Sequence, residues 1–246
     1  MRLTESNIRE KEFHNKLQSK TKGRFENIFY KALYNSDEDF FNFLKLNSAN
    51  SDILDYGCGV GNSSQKVIKF NPKKIIGIDI SDVSIEKAKK NKETIENIEF
   101  LVDNCEKTKF KDNTFDIVYG TGILHHLNLD SCIKEIYRIL KPNGRFLFIE
   151  PLGTNPFINL YRKLTPMARS VDEHPLIDCD FDLIKNKFFK VELKYYGFLT
   201  LVFFPLYSSP KNSLVFKILK NIDQFLFKIK IFRKLAWSVL IIAEKN

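Results

Sequence analysis

The central part of the chain alternates between short apolar runs and longer segments of helical length. Short apolar runs bounded by charged residues or glycines are typical of buried parallel strands. This pattern predicts strands at 53–56, 74–79, 98–102, 115–119 and 145–150, with a turn at 141–144 before the last of them. Helices are predicted up to about 70, over 82–93 and over 129–140. Such alternation implies a parallel sheet with right-handed crossovers, so the expected fold is a doubly wound α/β sheet.

The two ends of the chain depart from this alternation. The first 45 residues have helical character, and Ser36, which three acidic residues follow, is predicted to begin a helix. After Pro151 the alternation lapses until a predicted helix at 181–186, and two late strands at 190–197 and 237–244 suit an added antiparallel edge. We expect one domain over 1–246, with a helical cap at 1–48, a core at 49–150 and insertions at 151–180 and 205–235.

Charge and cysteine content narrow the expected partners and setting. The net charge is +9, but residues 46–150 hold 15 basic and 15 acidic residues, whereas residues 151–246 hold 15 and 8. A neutral core lacks the dense basic stripe of a nucleic-acid binder, so nucleic acid is not an expected partner. No apolar run is long enough to span a bilayer, the start has no secretion signal, and the four cysteines show no metal or redox spacing. We therefore expect a cytoplasmic protein.

A glycine-rich segment follows the first predicted strand. The residues Asp55-Tyr56-Gly57-Cys58-Gly59-Val60-Gly61 lie between a strand and a helix, where glycines let backbone N–H groups approach a ligand. A dinucleotide fingerprint would read G-x-G-x-x-G, and Asn62 stands where its third glycine would fall. The segment therefore indicates an adenosine-type cofactor, and its spacing departs from the dinucleotide pattern.

Acidic residues end the next two predicted strands. Asp79 lies eighteen residues beyond Gly61, where a carboxylate can accept hydrogen bonds from both hydroxyls of a ribose. Ile80 is predicted to pack on the adenine ring. Asp103 and Asn104 end the third strand, at a position for which a dinucleotide fold has no standard use. These residues support adenosine recognition and favour a cofactor other than a dinucleotide.

Together these motifs resemble the class I S-adenosylmethionine (SAM)-dependent methyltransferases, and in particular the bacterial type 11 family. The similarity runs from Asp52 to about Pro151 and includes the segments 121–127 and 138–144, where Asn143 replaces a usual glycine. It implies a Rossmann-like seven-stranded sheet with the last strand antiparallel, and SAM as the cofactor with S-adenosyl-L-homocysteine (SAH) as product. It assigns the cofactor to Asp55, Gly57, Cys58, Gly59, Gly61, Asp79, Ile80, Asp103, Asn104 and Thr121, with Asp103 taking the adenine amino group.

Histidines are the candidate catalytic residues. His126, or else His125, is placed to act as a general base toward a hydroxyl acceptor, a role typically worth ~10²–10⁴-fold in rate. The pair also suits a structural turn, and no metal site is expected because adjacent turn residues coordinate poorly. His174 is interpreted as a loop histidine rather than a pocket base. His14 and Tyr30 are expected either to close over the cofactor or to pack helices.

A basic amphipathic helix is predicted in the second late insertion. Seven basic residues and a single acid, Asp223, lie between Pro205 and Leu235. Apolar residues at helical spacing share one face, namely Val215, Ile218, Ile222, Phe225, Ile229 and Phe232. The sequence favours packing of this face on the domain. The alternative is that 211–234 lies peripherally on an anionic membrane or admits a lipophilic acceptor.

The expected function is methyl transfer from SAM to a small or lipophilic organic acceptor, at oxygen in the first instance. Such a transfer is an in-line displacement, in which alignment of the reactants supplies much of the barrier reduction. Two alternatives stay open: a SAM-fold binding module without turnover, and a nicotinamide-dependent dehydrogenase. Acceptor choice is expected to depend on the late insertions and the amino-terminal helices.

Overall fold

A computed structural model of the chain describes residues 3–19, 28–92, 95–166 and 169–246. The strands within these ranges are β1 (Asp52–Tyr56), β2 (Lys74–Asp79), β3 (Ile98–Val102), β4 (Phe115–Thr121), β5 (Leu140–Pro151), β6 (Lys190–Tyr196) and β7 (Ser238–Glu244). They form one sheet in the order β3-β2-β1-β4-β5-β7-β6. β1 to β5 pair in parallel, and β7 runs antiparallel to both β5 and β6.

Helices cover both faces of this sheet. They are α1 (Glu5–Ser19), α2 (Tyr34–Asn47), α3 (Asn62–Val67), α4 (Asp82–Asn91), α5 (Leu129–Ile139), α6 (Pro156–Leu164), α7 (Asp178–Lys187), α8 (Leu199–Val202), α9 (Leu214–Leu226) and α10 (Lys230–Arg233). Successive strand residues point to opposite faces, so Leu54 packs in the cluster with α5 and α7, and Ile53 packs in the cluster with α2 and α4. This explains why the central strands read as continuous apolar runs.

The predicted fold is confirmed, including the antiparallel last strand, but that strand does not lie at the edge. β7 lies between β5 and β6, and nearly all its side chains are buried. β6 is the edge strand, and it alternates charged exposed residues, Lys190, Glu192 and Lys194, with less exposed ones. Charged side chains are a common protection of an edge strand against pairing with another chain. The side chains of β7 are buried almost throughout, whereas those of β6 alternate between exposed and less exposed. This difference identifies β6 as the edge strand at this end of the sheet.

The predicted turn at 141–144 and the predicted helix start at Ser36 are wrong. Residues 141–144 lie within β5, whose register against β4 shifts between Phe115 and Ile117. Asn143 there takes the left-handed φ of 60°, which Asn tolerates. Helix α2 begins two residues before Ser36, whose hydroxyl donates to the Leu33 carbonyl (2.7 Å) rather than capping the helix. The helical cap predicted at 1–48 includes residues 20–27, which lie outside the described part of the chain.

Helix α6 is an element that the sequence pattern did not predict. Its nine residues are few for a periodicity argument, but its start has a clear signal. The side chain of Asn155 accepts hydrogen bonds from the N–H groups of Phe157 and Ile158, and Pro156 occupies the first turn. Asn followed by Pro is a favoured helix beginning. The helix lies in the first late insertion and follows closely on the carboxyl end of β5.

Candidate active site

The loop between β1 and α3 is shaped by three glycines with left-handed backbones. Gly57, Gly59 and Gly61 have φ values of +74°, +52° and +82°. A Cβ atom at Gly57 would lie 2.5 Å from Ile123 Cγ1, and one at Gly61 would lie 2.6 Å from Phe100 Cζ. At Gly59, by contrast, nothing described lies within 4 Å of the Cβ position. Two glycines are therefore required by packing, while Gly59 borders open space that suits a cofactor.

Asp79 ends β2 directly beside Gly59. Its Oδ2 accepts the N–H of Gly59 (2.9 Å), and its Oδ1 accepts the N–H of Ser81 (2.8 Å). Burial raises the pKa of this carboxyl, although the two backbone hydrogen bonds and the nearby His14 and His126 act to lower it. The backbone thus fixes the orientation of the carboxylate, and each oxygen keeps a lone pair for a further donor.

Asp55 does not face this space, although the sequence places it among the cofactor residues. It is only 3% exposed, and it accepts hydrogen bonds from the hydroxyls of Ser64 (2.6 Å) and Tyr119 (3.0 Å). Burial raises its pKa to about 6, because the desolvation of the charged form outweighs these two hydrogen bonds. Asp55 therefore fastens the first turn of α3 to β4, beneath the glycine loop.

Asp103 and Asn104 lie at the end of β3, beneath α1. The carboxylate of Asp103 accepts the N–H groups of Asn104 (3.0 Å) and Lys109 (3.1 Å). The side-chain amide of Asn104 donates to Asn7 Oδ1 of α1 (3.1 Å), and both Asp103 and Asn104 are 4% exposed. They share the carboxyl edge of the sheet with Asp79. Their contact with the adenine ring stays a prediction.

The remaining predicted cofactor residues lie along the same edge. Ile80 follows Asp79 and is partly exposed, whereas Cys58 in the glycine loop is buried. Burial raises the pKa of the Cys58 thiol well above its usual value, so it stays a neutral, apolar wall. Thr121 is exposed at the end of β4. The fold thus brings these residues together, and their roles toward the cofactor stay predictions.

Helix α1 forms a roof over the ends of β2 and β3. Its Asn15 accepts the hydroxyl of Ser81 (2.6 Å) and donates to Asp82 Oδ1 (2.9 Å), which ties it to the start of α4. His14 on the same helix points toward the histidine pair, with its ring 5.3 Å from that of His126. Tyr30, by contrast, is 55% exposed and lies 5.3 Å from the Trp237 ring. Of the two residues expected to close over the cofactor, only His14 lies on the roof.

The two adjacent histidines have different surroundings. Nδ1 of His125 lies 2.8 Å from Oε2 of the buried Glu150, whose Oε1 accepts the N–H groups of Ile123 and Leu124 (both 2.9 Å). These bonds hold the turn that we call the histidine turn (Leu124–His126) against the end of β5. His126 instead faces α1 and the first late insertion. His125 thus holds the turn in place, while His126 faces α1. We call the region beneath α1 that Glu10, His14 and His126 border the roofed space.

Glu10 of α1 is the principal residue that sequence reasoning missed. Its Oε2 lies 3.3 Å from His126 Nδ1 and 3.5 Å from His14 Nε2, and its Oε1 accepts the hydroxyl of Ser170. Burial alone would raise the pKa of Glu10, but His126, His14 and Ser170 together lower it well below its usual range. A buried carboxylate therefore stays charged here. The only local signal was the helical i, i+4 spacing of Glu10 and His14.

The first late insertion supplies another wall of the roofed space. Glu173 Oε1 lies 4.0 Å from His126 Nε2, and Glu173 Oε2 lies 3.6 Å from Arg169 Nε. The neighbouring Asp172 accepts two hydrogen bonds (2.9 and 2.8 Å) from the guanidinium of Arg9 on α1. The insertion and the roof are thus joined by a bidentate ion pair.

His174 matches its interpretation as a loop histidine. Its side chain is 59% exposed, and Nε2 lies 3.2 Å from Asp180 Oδ2. Its contribution to the site comes from the backbone, because its N–H donates to the His125 carbonyl (2.6 Å). The insertion is therefore anchored to the histidine turn, and the His174 ring lies apart from the roofed space.

Helix α9 turns most of the predicted apolar face outward, so the favoured interpretation that this face packs on the domain is wrong for these residues; Phe232, which lies beyond α9, does pack against the core. The exposed residues form an apolar stripe, defined as Val215, Ile218, Ile222, Phe225 and Ile229, with exposures of 38, 50, 42, 64 and 49%. The inward face carries Phe216, Phe227 and Asp223. Asp223 accepts the N–H groups at the start of α8, at Phe198, Leu199 and Thr200. A polar anchor therefore decides which face of α9 is buried.

Comparison with known proteins identifies the class of protein. A family profile described as a methyltransferase domain matches residues 47–191, more than half of the chain. The chain therefore belongs to this family and is a class I SAM-dependent methyltransferase, with SAM as its cofactor. The nicotinamide alternative is thereby excluded.

Particular relatives match less than half of this chain. The sterol 24-C-methyltransferase erg6 of Aspergillus fumigatus is 35% identical over 111 residues, which are 44% of this chain and 29% of that protein. The ubiquinone/menaquinone biosynthesis C-methyltransferase UbiE of Rickettsia prowazekii is 34% identical over 116 residues, 44% of this chain and 47% of that protein. The matches thus span less than half of the length of these curated relatives.

A solved structure with the same fold extends over the whole chain. Geranyl diphosphate C-methyltransferase from Streptomyces coelicolor A3(2), solved with Mg²⁺, geranyl diphosphate and SAH, has a TM-score of 0.69 and 13% identity. Each chain is covered completely. At this identity the likeness concerns the fold alone.

Proposed function

We propose that this chain transfers a methyl group from SAM to a small, lipophilic acceptor in the roofed space. The observation that supports this most is His126, which lies beside two carboxylates next to the cofactor edge at Asp79. SAM supplies an activated methyl group: the acceptor bonds to the methyl carbon while the sulfur–carbon bond breaks, and its electron pair stays on sulfur in SAH. The protein's task is to align the two reactants and exclude water.

The cofactor side of the site divides into positions with separate tasks. We assign the ribose hydroxyls to Asp79, whose carboxylate is oriented by Gly59 and Ser81. The open space at Gly59 admits the cofactor close to the backbone. Asp103 and Asn104, at the end of β3, take the adenine end, with Ile80 against the ring.

His126 is the histidine that we assign to the acceptor. It borders the space under α1, whereas the Nδ1 atom of His125 is engaged by Glu150 within the turn. Glu10 and Glu173 flank the two nitrogens of His126 and keep negative charge next to it. A histidine so flanked can take up or orient the proton of an acceptor hydroxyl. His125 is a positioning residue in this account.

We propose oxygen as the methylated atom, because a histidine flanked by carboxylates serves a hydroxyl acceptor directly. A carbon acceptor is the second candidate, since the similar proteins from Aspergillus and Rickettsia are both named as C-methyltransferases. A hydroxyl that loses its proton can also pass charge to a conjugated carbon, so the same residues serve either case. The nuclear magnetic resonance spectrum of the methylated product separates the two.

We also propose that the chain meets its acceptor at an anionic membrane surface through α9. The apolar stripe is exposed along the whole helix, and Lys217, Lys228 and Lys230 around it are exposed as well. The only acid of that segment, Asp223, is buried on the opposite face. An apolar stripe bordered by cations is the pattern of a helix that lies in a membrane interface. No helix in the described ranges is long and apolar enough to cross the bilayer itself.

Product profiling tests the proposed transfer. Purified chain is incubated with SAM labelled in the methyl group and with a total metabolite and lipid extract, and labelled products are identified by mass spectrometry. We expect a labelled product in the lipid-soluble fraction, with a rate that falls ~10²–10⁴-fold in His126→Gln. His174→Gln, which changes an exposed histidine of the neighbouring loop, should retain the rate. If the wild-type chain gives no labelled product although it binds SAH, the proposed transfer is contradicted, and the chain is a binding module without turnover.

A further inference from the structure

Two buried atoms at the centre of the roofed space have no hydrogen-bond partner among the described residues. They are Glu10 Oε2 and His126 Nδ1, on side chains that are 5% and 9% exposed. The two atoms approach to 3.3 Å without hydrogen-bond geometry, and His14 Nε2 lies 3.5 Å from the same carboxylate oxygen. Leaving a buried polar atom without a partner is unfavourable. These two unsatisfied atoms, with His14 Nε2 beside them, surround one point and indicate a ligand that all three atoms share.

The spacing of these atoms fits a tetrahedral metal ion. Zinc binds imidazole nitrogen and carboxylate oxygen at about 2.0–2.1 Å, which sets the edge of a regular tetrahedron at roughly 3.3–3.4 Å. Two edges of the set are 3.3 and 3.5 Å, and all three ligand atoms lie within 4.8 Å of one another. Two of the three edges therefore already match the tetrahedral value.

The other polar atoms of two of these side chains have partners of their own. Glu10 Oε1 accepts the Ser170 hydroxyl, and His126 Nε2 lies 4.0 Å from Glu173, which Arg169 holds from behind. A carboxylate on the far nitrogen of a ligating histidine is a common support of metal sites, since it fixes the ring and raises its basicity. Glu10 Oε2 and His126 Nδ1 are therefore the atoms of these two side chains that are left for a shared ligand.

We propose that Glu10, His14 and His126 bind a divalent first-row transition-metal ion, whose further coordination positions take an oxygen atom of the acceptor. Two imidazoles and one carboxylate favour such an ion over Mg²⁺ or Ca²⁺. We expected no metal because two adjacent turn histidines alone coordinate poorly. The fold adds groups from other segments, which gives two candidate sets: Glu10, His14 and His126, and His125, His126 and Glu173. The first set is favoured because Nδ1 of His125 is engaged by Glu150. This inference rests on the proposed function, because it specifies how His126 acts on the acceptor.

Metal titration of the complete chain tests the site without measuring activity. Chelator-treated chain is titrated with Co²⁺, and the visible d–d absorption of a tetrahedral site is recorded, with Zn²⁺ competition giving the affinity. We expect one ion per chain, and an affinity that falls more than about 100-fold in Glu10→Gln and in His14→Ala. Glu173→Gln should weaken it by about 10–100-fold, the range for supporting carboxylates. His174→Gln serves as the control and should bind as the wild type does.

As a folding control, SAH binding is measured by calorimetry for each variant. A variant that binds SAH as the wild type does has an intact cofactor side, so its loss of metal binding cannot be ascribed to unfolding. Absence of stoichiometric binding, or binding that Glu10→Gln and His14→Ala leave unchanged, would overturn the metal site. Should metal-free wild-type chain still transfer labelled methyl groups in a His126-dependent way, the metal inference fails and the proposed function stands. His126 then acts on the acceptor proton directly.

Discussion

The cofactor side and the acceptor side of this site are built in different ways. The cofactor side consists of strand ends and one short loop, so Gly59, Asp79 and Asp103 lie within a single run of βα units. The acceptor side joins Glu10, His126 and Glu173, which come from the roof helix, the histidine turn and a late insertion. The first is fixed by backbone geometry, while the second exists only after three distant segments have packed.

This difference suggests which changes each side tolerates. The cofactor side depends on left-handed glycines and on backbone donors to Asp79, which few substitutions preserve. The acceptor side depends on side chains held by partners such as Ser170 and Arg169, so exchanging one segment changes the acceptor without changing the cofactor. Sequence relatives match less than half of the chain.

The largest expected effect concerns the proposed membrane contact of α9, compared with the surface of the charge-balanced core. Changing Lys217, Lys220, Lys228 and Lys230 to Glu should abolish sedimentation with anionic vesicles, because each cation near such a surface contributes about 1 kcal/mol. The same change at Lys89, Lys90, Lys107 and Lys109, in the charge-balanced core, is the matched control and should have a much smaller effect. Equal losses in both variants would show that net charge, rather than α9, causes the binding.

Two glycines of the same loop should respond differently to alanine. Gly61→Ala forces a Cβ against Phe100 in a left-handed backbone, and we expect a loss of about 3–4 kcal/mol in the free energy of unfolding. Gly59→Ala meets open space, so it should cost only about 1–2 kcal/mol in stability. It should nevertheless weaken SAH binding clearly. Urea denaturation and calorimetry measure the two effects, and equal destabilisation would argue that Gly59 is also a packing glycine.

A smaller effect is expected on the pH dependence of the chain's stability, and it comes from Asp55 beneath the glycine loop. The folded pKa of Asp55, about 6, lies above its ordinary value of 3.8, so the folded state holds this proton more tightly than the unfolded state. The stabilisation is fully present below pH 3.8 and is lost as pH rises through 6, by about 2–3 kcal/mol. Urea denaturation of the wild type should show this decline relative to Asp55→Asn. Parallel curves for the two proteins from pH 4 to 7 would contradict it.

The sequence predicted the sheet and the cofactor edge because their signals are local. β2 and β3 are apolar runs with an acid at or just after the end, and their bounds agree with the prediction. Glu10 and Glu173 had no comparable signal, since their significance arises from contact with His126 across the fold. In α9 the apolar stripe suggested the wrong buried face, because hydrogen bonds from α8 to Asp223 hold the opposite face inward.

The most direct test of the account is the affinity for SAH, measured by calorimetry for the wild type, Asp79→Ala and Glu10→Gln. We predict that Asp79→Ala weakens SAH binding by about 100-fold, because two hydrogen bonds from ribose hydroxyls to a carboxylate are lost. Glu10→Gln, on the acceptor side, should stay within about threefold of the wild type. An Asp79→Ala variant that binds SAH as tightly as the wild type would contradict the assignment of the cofactor site.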